Sequence, residues 1–445
     1  MLAGPDTRHA PPLDLPLRFL AVAVVSFALM ALVYPWHVPL LLGSFYDPHL
    51  TAFVHVNTLG VIGSTMIGAS YQLLPVVLGV PLRSVRVARL SWWLLVPGMA
   101  LFIGGLALRV TTLTALGGTL AFGAITLYLY VVVGTLARER HPGLVSWHVA
   151  AAAVGLGWAV IAGLALALSK RFGFLEDLTL PAMAAHATLM LGAWVTPMLM
   201  GVSYRLVGMF TLSEDALRLE LGVAALACTV VGAWTLAFGL ITGIGQAMLL
   251  AGAAFLFTGQ VLFAAQLANL YRHRRRRSFD VHMPFSIAAA CFGLAATGLL
   301  CYGFTTQRLA NDALWVVAGW WAIAGWAQTS IQGFFYKIGT FLTWLHKFAP
   351  LAGLQKVPRL EDLFGRRLAM FGWTCWCAGV ALGGVAALLG VYVLSLTAAL
   401  ALSFGAGAFV LNAARIGRHW LPSAFMNRKQ EVPAAWPALS DRPAS

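Results

Sequence analysis

Two histidines lie inside apolar stretches of this sequence, where an ionisable side chain is costly and is usually present for a function. His55 occurs in "TAFVHVNTLGVIGSTMIGASYQLLP" and His186 in "LPAMAAHATLMLGAWVTPMLMGVSYR". Neutral imidazole binds iron, copper and zinc, and a partner on its second nitrogen fixes the tautomer. We therefore predict that both histidines bind a cofactor or metal, with hydrogen-bonded interior histidines as the alternative. The expected hydrogen-bond partners are Asn57, Thr58 and Thr188.

A methionine and two further histidines accompany this pair. Met190 follows His186 by four residues and so lies on the same face of a helix. Thioether sulfur is a soft ligand for haem iron or copper(I), which makes Met190 a candidate metal ligand, with gap filling between helices as the alternative. His37 and His49 precede His55 in the same loop region. They are predicted to control entry of a metal or proton to the site, with ordinary exposed loop residues as the alternative.

The elements that must position these residues are membrane-spanning helices. Of the 445 residues, 60% are hydrophobic and 10% are charged, which is typical of a polytopic membrane protein. Apolar runs of about 20 residues, each long enough to cross about 30 Å of hydrocarbon, recur along the chain. We predict an all-α integral membrane protein with about twelve transmembrane helices in a single domain over residues 1–445.

The net charge of +14 predicts the orientation of these helices rather than nucleic-acid binding. Basic residues cluster in alternate loops, as in "RHRRRR" at Arg272 to Arg277, whereas the other loops hold little more than Arg109, Lys170, Arg171 and Arg308. By the positive-inside rule, both termini are expected in the cytoplasm and the chain in the inner cell membrane. The lipid bilayer is then the expected partner, and residues 415–445 form a cytoplasmic tail.

Three short stretches, "GASYQ", "GVSYR" and "GFFYK", recur at almost equal intervals. Their glycines and tyrosines, called here the signature residues, are Gly68, Tyr71, Gly201, Tyr204, Gly333 and Tyr336. Four predicted spans separate each copy from the next, which predicts three parallel four-helix units over approximately 17–137, 144–271 and 283–414, arranged about a pseudo-threefold axis. Small residues let helices approach closely and tyrosine suits an interface or a buried hydrogen bond, so a packing role is favoured over a chemical one.

The stretch "HVNTLGVIGSTMIGASYQLLPVVLG" resembles the second helix of subunit I of the haem–copper oxidase and nitric oxide reductase superfamily. That family shares the arrangement of twelve helices in three arcs, with histidines near the outer ends of the second and sixth helices. The resemblance implies that His55 matches the low-spin haem ligand and His186 a copper ligand. It also implies haem b or copper as cofactor, and other respiratory-chain subunits or an electron-donor cytochrome as partners.

The sequence departs from that family at three places. Met190 occupies the position of a tyrosine found in many oxidases, the seventh predicted span has no histidine, and the body of the tenth has none. Oxygen reduction is therefore not expected, and any enzymatic activity would be oxidoreductase-like.

Two functional hypotheses follow from these residues. The first is an oxidase-like membrane protein that binds haem or copper near the outer leaflet, for electron transfer, nitric oxide handling or respiratory-complex assembly. The alternative is a copper or small-solute transporter or metallochaperone without a redox centre, or a structural respiratory subunit.

Overall fold

The computed structural model describes residues 9–276, 280–306 and 312–420, and these ranges are helical without any β-strand. Arg277, Arg308 and most of the predicted tail lie outside the described residues. The first third of the chain forms α1 Asp14–His37, α2 Pro48–His55, α3 Ser64–Leu78, α4 Val85–Ala107 and α5 Thr111–Leu136. The middle third forms α6 Leu144–Phe172, α7 Thr179–Thr188, α8 Thr196–Thr211, α9 Leu219–Thr242 and α10 Gln246–Arg272. The last third forms α11 His282–Thr305, α12 Asp312–Trp320, α13 Thr329–Lys347, α14 Arg366–Leu389 and α15 Tyr392–Gly417.

Eleven helices within the described residues are long and apolar enough to cross a membrane, so the chain is an all-α, multi-pass membrane protein. The tenth of the twelve predicted spans coincides with the continuous helical stretch from Asp312 to Lys347, which is not among those eleven. Buried glutamines, Gln328 and Gln332, interrupt its apolar sequence.

Three long helices change to π-helical geometry in mid-course. The π segments are Val56–Gly63 between α2 and α3, Leu189–Val195 between α7 and α8, and Trp321–Gln328 between α12 and α13. Each begins twelve residues before a signature glycine, at Gly68, Gly201 and Gly333. π-Helical turns are rare and occur often at functional sites. Their shared position therefore makes this level of the bundle a candidate functional site.

Side-chain hydrogen bonds at the level of the π segments join the three helices that contain them. Gln328 Nε2 of the third π segment donates to Asn57 Oδ1 of the first, at 2.7 Å. Trp326 Nε1 donates to Thr196 Oγ1, which directly follows the second segment, at 3.1 Å. All four side chains are buried, so these bonds tie the helices together in the interior of the protein.

The signature residues pack against the first helix of each third of the chain. A Cβ atom added to the signature glycine would come within 2.7 Å of Phe19 Cβ at Gly68, within 2.6 Å of His148 Cβ at Gly201 and within 2.6 Å of Phe285 Cβ at Gly333. The tyrosine rings contact the same three residues, with centroid separations of 5.6 Å for Tyr71 and Phe19, 5.4 Å for Tyr204 and His148, and 5.8 Å for Tyr336 and Phe285. In each third of the chain, the signature glycine thus permits close approach of the first helix, which is α1, α6 or α11, and the signature tyrosine fills the space beside that contact.

Candidate functional site

His55 is the last residue of α2 and lies immediately before the first π segment. The helix begins at Pro48 because the Asp47 side chain accepts hydrogen bonds from the backbone N–H groups of His49 and Leu50, as an N-cap does. Seven residues of rise then place His55 about 10 Å from the start of the helix. Its Nδ1 lies 2.7 Å from the backbone carbonyl oxygen of Thr51.

His186 is the eighth residue of α7, so it lies at the same depth in its own helix as His55. Its Nδ1 reaches across to α6, where it lies 2.8 Å from the backbone carbonyl oxygen of Ala159. The contact depends on Gly163, since a Cβ atom there would come within 2.8 Å of His186 Cε1. α6 therefore presents both a hydrogen-bond acceptor and a gap for the imidazole ring.

These contacts define the tautomer of both imidazoles. A carbonyl oxygen can only accept, so Nδ1 donates its proton in each case and the lone pair lies on Nε2. No hydrogen bond from a described residue reaches Nε2 of His55 or His186. This is the state in which a histidine ligates a metal, with its other nitrogen held by a backbone carbonyl.

The partners predicted for the histidines make other hydrogen bonds. Thr58 Oγ1 donates to the carbonyl oxygen of Val54 at 3.0 Å, and Thr188 Oγ1 to that of Ala184 at 2.8 Å. Asn57 instead joins the first and third π segments. A threonine side chain on a helix readily donates a hydrogen bond to the backbone carbonyl four residues earlier. The hydrogen-bond partners of the two imidazoles are therefore backbone carbonyls rather than these side chains.

Both histidines line one cavity of about 1300 Å³ between the helices. Met190 lines it as well, together with residues from all three π segments. Its wall is mainly apolar, with side chains that include Leu59, Ile62, Phe122, Leu164, Leu240 and Leu256. The two predicted ligands therefore line the same cavity.

Other predicted residues lie away from this cavity. His37 stacks on Phe53, with ring centroids 5.4 Å apart, and its Nδ1 contacts the backbone carbonyl of Val33. His49 is exposed, and neither it nor His37 lines the cavity. None of the six signature residues lines it either. The role of His37 and His49 in access to the site stays a prediction.

Sequence reasoning missed several residues of the site. Lys170 and Arg171, at the end of α6, line the mouth of the cavity, although the sequence pointed only to their role in membrane orientation. The contributions of Ala159 and Gly163 depend on how α6 packs against α7. The only signal in the sequence was a basic pair at the end of the apolar run that precedes the one carrying His186.

The fold and the site define a class of protein, the all-helical multi-pass membrane proteins with a histidine-lined cavity between the helices. Comparison of the chain with models of known protein families finds no match, and comparison with curated proteins finds none. Within the described ranges, no group of three or more histidine, cysteine, aspartate or glutamate side chains could hold a metal ion.

Proposed function

We propose that the protein binds haem b in this cavity, with His55 and His186 as the iron ligands, and serves in electron transfer within the membrane. One observation carries the proposal. Two imidazoles with Nδ1 bound to a backbone carbonyl, and with Nε2 free of hydrogen bonds from described residues, line the same cavity.

The size and the lining of the cavity favour a large apolar cofactor over a bare ion. Its volume of about 1300 Å³ exceeds the roughly 300–1,000 Å³ of typical small-molecule and cofactor sites. Two lining side chains, Trp194 and Gln260, each carry a buried polar atom without a hydrogen-bond partner among the described residues. Buried polar atoms are usually satisfied, and a cofactor with polar substituents would supply partners.

The residues around the site have defined tasks in this proposal. Thr51 and Ala159 hold the imidazoles in the ligating tautomer through their carbonyl oxygens. The ring of Phe102 packs edge-on against His55, with centroids 4.9 Å apart, and limits its rotation. Haem bound there would supply one-electron redox chemistry, with a potential that depends on the axial ligands and on burial.

The proposal includes the arrangement of the chain as three similar four-helix units, as in the oxidase-like superfamily. The support is the common register of the three π segments and the repeated contact of each signature glycine with the first helix of its unit. The proposed location is the inner cell membrane with both termini in the cytoplasm, with an electron-donor cytochrome or another respiratory-chain subunit as partner. Oxygen reduction is not part of the proposal, because α9 carries no histidine.

Copper handling is the second candidate, and Met190 is the observation that favours it. Its thioether lines the cavity together with His55 and His186, and sulfur with imidazole is a ligand set that suits copper(I). In this reading the three side chains would hold a copper ion during transfer across or within the membrane.

Cofactor analysis of the purified protein separates the two candidates. Haem is measured as the pyridine haemochrome and copper by mass spectrometry, in the wild type and in the double variant His55→Ala/His186→Ala. The haem proposal predicts an equimolar amount of haem in the wild type and its loss in the double variant. Folded wild-type protein with copper but no haem would overturn it in favour of the second candidate.

A further inference from the structure

Two basic side chains, Lys170 and Arg171, lie at the mouth of the cavity near the carboxyl end of α6. Both are exposed. Among the described residues neither lies within 4 Å of a carboxylate. The carboxylates that do form ion pairs with lysine or arginine have other partners, and they belong to Asp14, Glu214, Asp215, Asp280 and Glu361.

Each of the two cations lies near an aromatic ring, and their hydrogen-bond donors have no partner among the described residues. Lys170 Nζ lies 5.1 Å from the centroid of the Tyr46 ring, which also lines the cavity. The Arg171 guanidinium lies 5.7 Å from the centroid of Phe172. Lysine offers three donors and arginine five, and neither side chain donates to a described residue.

Glu176 is the acidic residue at this mouth. It lines the cavity, and its Oε1 lies 2.9 Å from where a Cβ atom of Gly173 would be, so the carboxylate rests against that turn. It forms no ion pair with Lys170 or Arg171 within 4 Å. Two cations against one carboxylate leave the lining of the mouth positive, whereas the wall deeper in the cavity is apolar.

We propose that Lys170 and Arg171 bind carboxylate groups of the ligand, so that the cavity selects an amphiphile with an apolar body and an acidic edge. This inference rests on the proposed function, in which the acidic edge is formed by the two propionates of haem. Charge-assisted hydrogen bonds from a lysine and an arginine to carboxylates are stronger than neutral ones and also fix orientation. Lys170 and Arg171 would therefore determine which way the haem faces between His55 and His186.

The test compares haem b with its dimethyl ester, in which the carboxylates are blocked and the iron and ring are unchanged. Each is titrated into haem-free wild-type protein and into the double variant Lys170→Gln/Arg171→Gln. We expect the wild type to bind haem about tenfold more tightly than the ester, equivalent to about 1.4 kcal/mol. In the double variant the affinity for haem should fall to that for the ester, while the absorption band of the histidine-ligated iron is retained.

Two further variants serve as controls. Lys170→Arg/Arg171→Lys keeps both charges and should keep most of the preference for haem. Arg109→Gln removes an exposed cation between α4 and α5 that does not line the cavity, and it should leave both affinities unchanged.

The outcomes distinguish this inference from the proposed function. Equal affinity of the wild type for haem and its ester would overturn the role of Lys170 and Arg171 and leave the haem proposal standing. Failure of the wild type to bind haem at all would overturn the proposed function, and this inference with it. The wild-type comparison needs no substitution, so it holds even if the double variant fails to fold.

Discussion

His55 and His186 reach the same protonation state by different routes. His55 donates from Nδ1 to the carbonyl oxygen of Thr51 within its own helix, whereas His186 donates to Ala159 on a neighbouring helix. The first contact is local, because four residues separate donor and acceptor. The second depends on the approach of α6 to α7, which Gly163 permits. The position of His186 is therefore sensitive to a residue that makes no hydrogen bond to it.

Substitution of Gly163 tests this dependence. In Gly163→Ala the new methyl group would lie 2.8 Å from His186 Cε1, so the ring must move and its bond to Ala159 must weaken. Loss of such supporting contacts typically lowers metal affinity about 10–100-fold. We expect haem affinity to fall within that range, measured by titration of haem-free protein.

The matched control is Gly157→Ala on the same helix, where the nearest atom would be Leu129 Cδ1 at 3.8 Å. Alanine should be tolerated there and haem affinity should not change. Unchanged affinity in Gly163→Ala would show that the ring position does not depend on this contact.

At the scale of elements, the signature glycines set the spacing between helices. Gly68, Gly201 and Gly333 each face a side-chain Cβ of α1, α6 or α11 at a distance that leaves no room for a methyl group. The three contacts are alike although the aromatic residues differ, since α6 contributes His148 where α1 and α11 contribute phenylalanine. The sequence predicted a packing role for the signature residues. Which helices they pack against is seen only in the structure.

The same substitution at each signature glycine should therefore have a similar effect. We expect Gly68→Ala, Gly201→Ala and Gly333→Ala each to destabilise the protein by about 1–3 kcal/mol, the usual cost of overpacking. Thermal unfolding in detergent measures the effect. Gly104→Ala is the control, because no atom lies within 4 Å of the added methyl group. Unfolding temperatures equal to that of Gly104→Ala would argue against the packing role.

An ion pair joins the segment before α11 to α13. The carboxylate of Asp280 accepts a hydrogen bond from Lys337 and lies 3.8 Å from His282 Nδ1. Burial by itself would raise the pKa of Asp280, but the neighbouring His282 and Lys337 outweigh it and hold the pKa below its usual range. A carboxylate with a lowered pKa stabilises the folded state above its unfolded pKa of about 3.9, and that contribution is lost as the pH falls below it.

Asp280→Asn should accordingly be less stable than the wild type by about 1–3 kcal/mol at pH 7, the range for losing a partner of a charged group. The difference should shrink as the pH falls from about 5 towards 3, because the aspartate of the unfolded wild type then takes up a proton while the folded carboxylate, whose pKa is lowered, stays charged. Unfolding curves over this pH range provide the measurement. Asp177→Asn, an exposed residue without an ion pair among the described residues, is the control. A stability difference that stays constant with pH would contradict the account.

At the scale of the whole molecule, the sequence predicted the all-α membrane class of fold and the similar depth of the two histidines in their helices, whereas their lining of one cavity is seen only in the structure. Periodic apolar runs specify membrane helices, and depth along a helix follows from residue counting, which is why His55 and His186 could be paired. The π segments and the cavity could not be foreseen. Residues of α2, α7 and α12 line the cavity together with residues of all three π segments, and no local pattern in the sequence encodes that arrangement. The place of Lys170 in the cavity lining could not be predicted from the sequence either, because it depends on how α6 packs.

The orientation of the chain in the membrane is a further prediction at this scale. Lys170 and Arg171 share their end of the bundle with the sparsely charged loop at Arg109, whereas the clustered arginines lie in alternate loops. The positive-inside rule then places the cavity mouth outside and both termini in the cytoplasm. A fluorescent protein fused to the C-terminus should fluoresce, and alkaline phosphatase fused there should be inactive. Phosphatase inserted at Arg109 should be active, and the reverse pattern would show the opposite orientation.

The most direct test of the central claim is the reduced-minus-oxidised absorption spectrum of the purified protein and of three single variants. The wild type and His37→Ala should show the sharp band of low-spin haem, because His37 does not line the cavity. His55→Ala and His186→Ala should each lose that band, because each removes one ligand from the shared site. A folded wild-type protein without the band, or a band that survives both substitutions, would contradict the assignment of His55 and His186 as haem ligands.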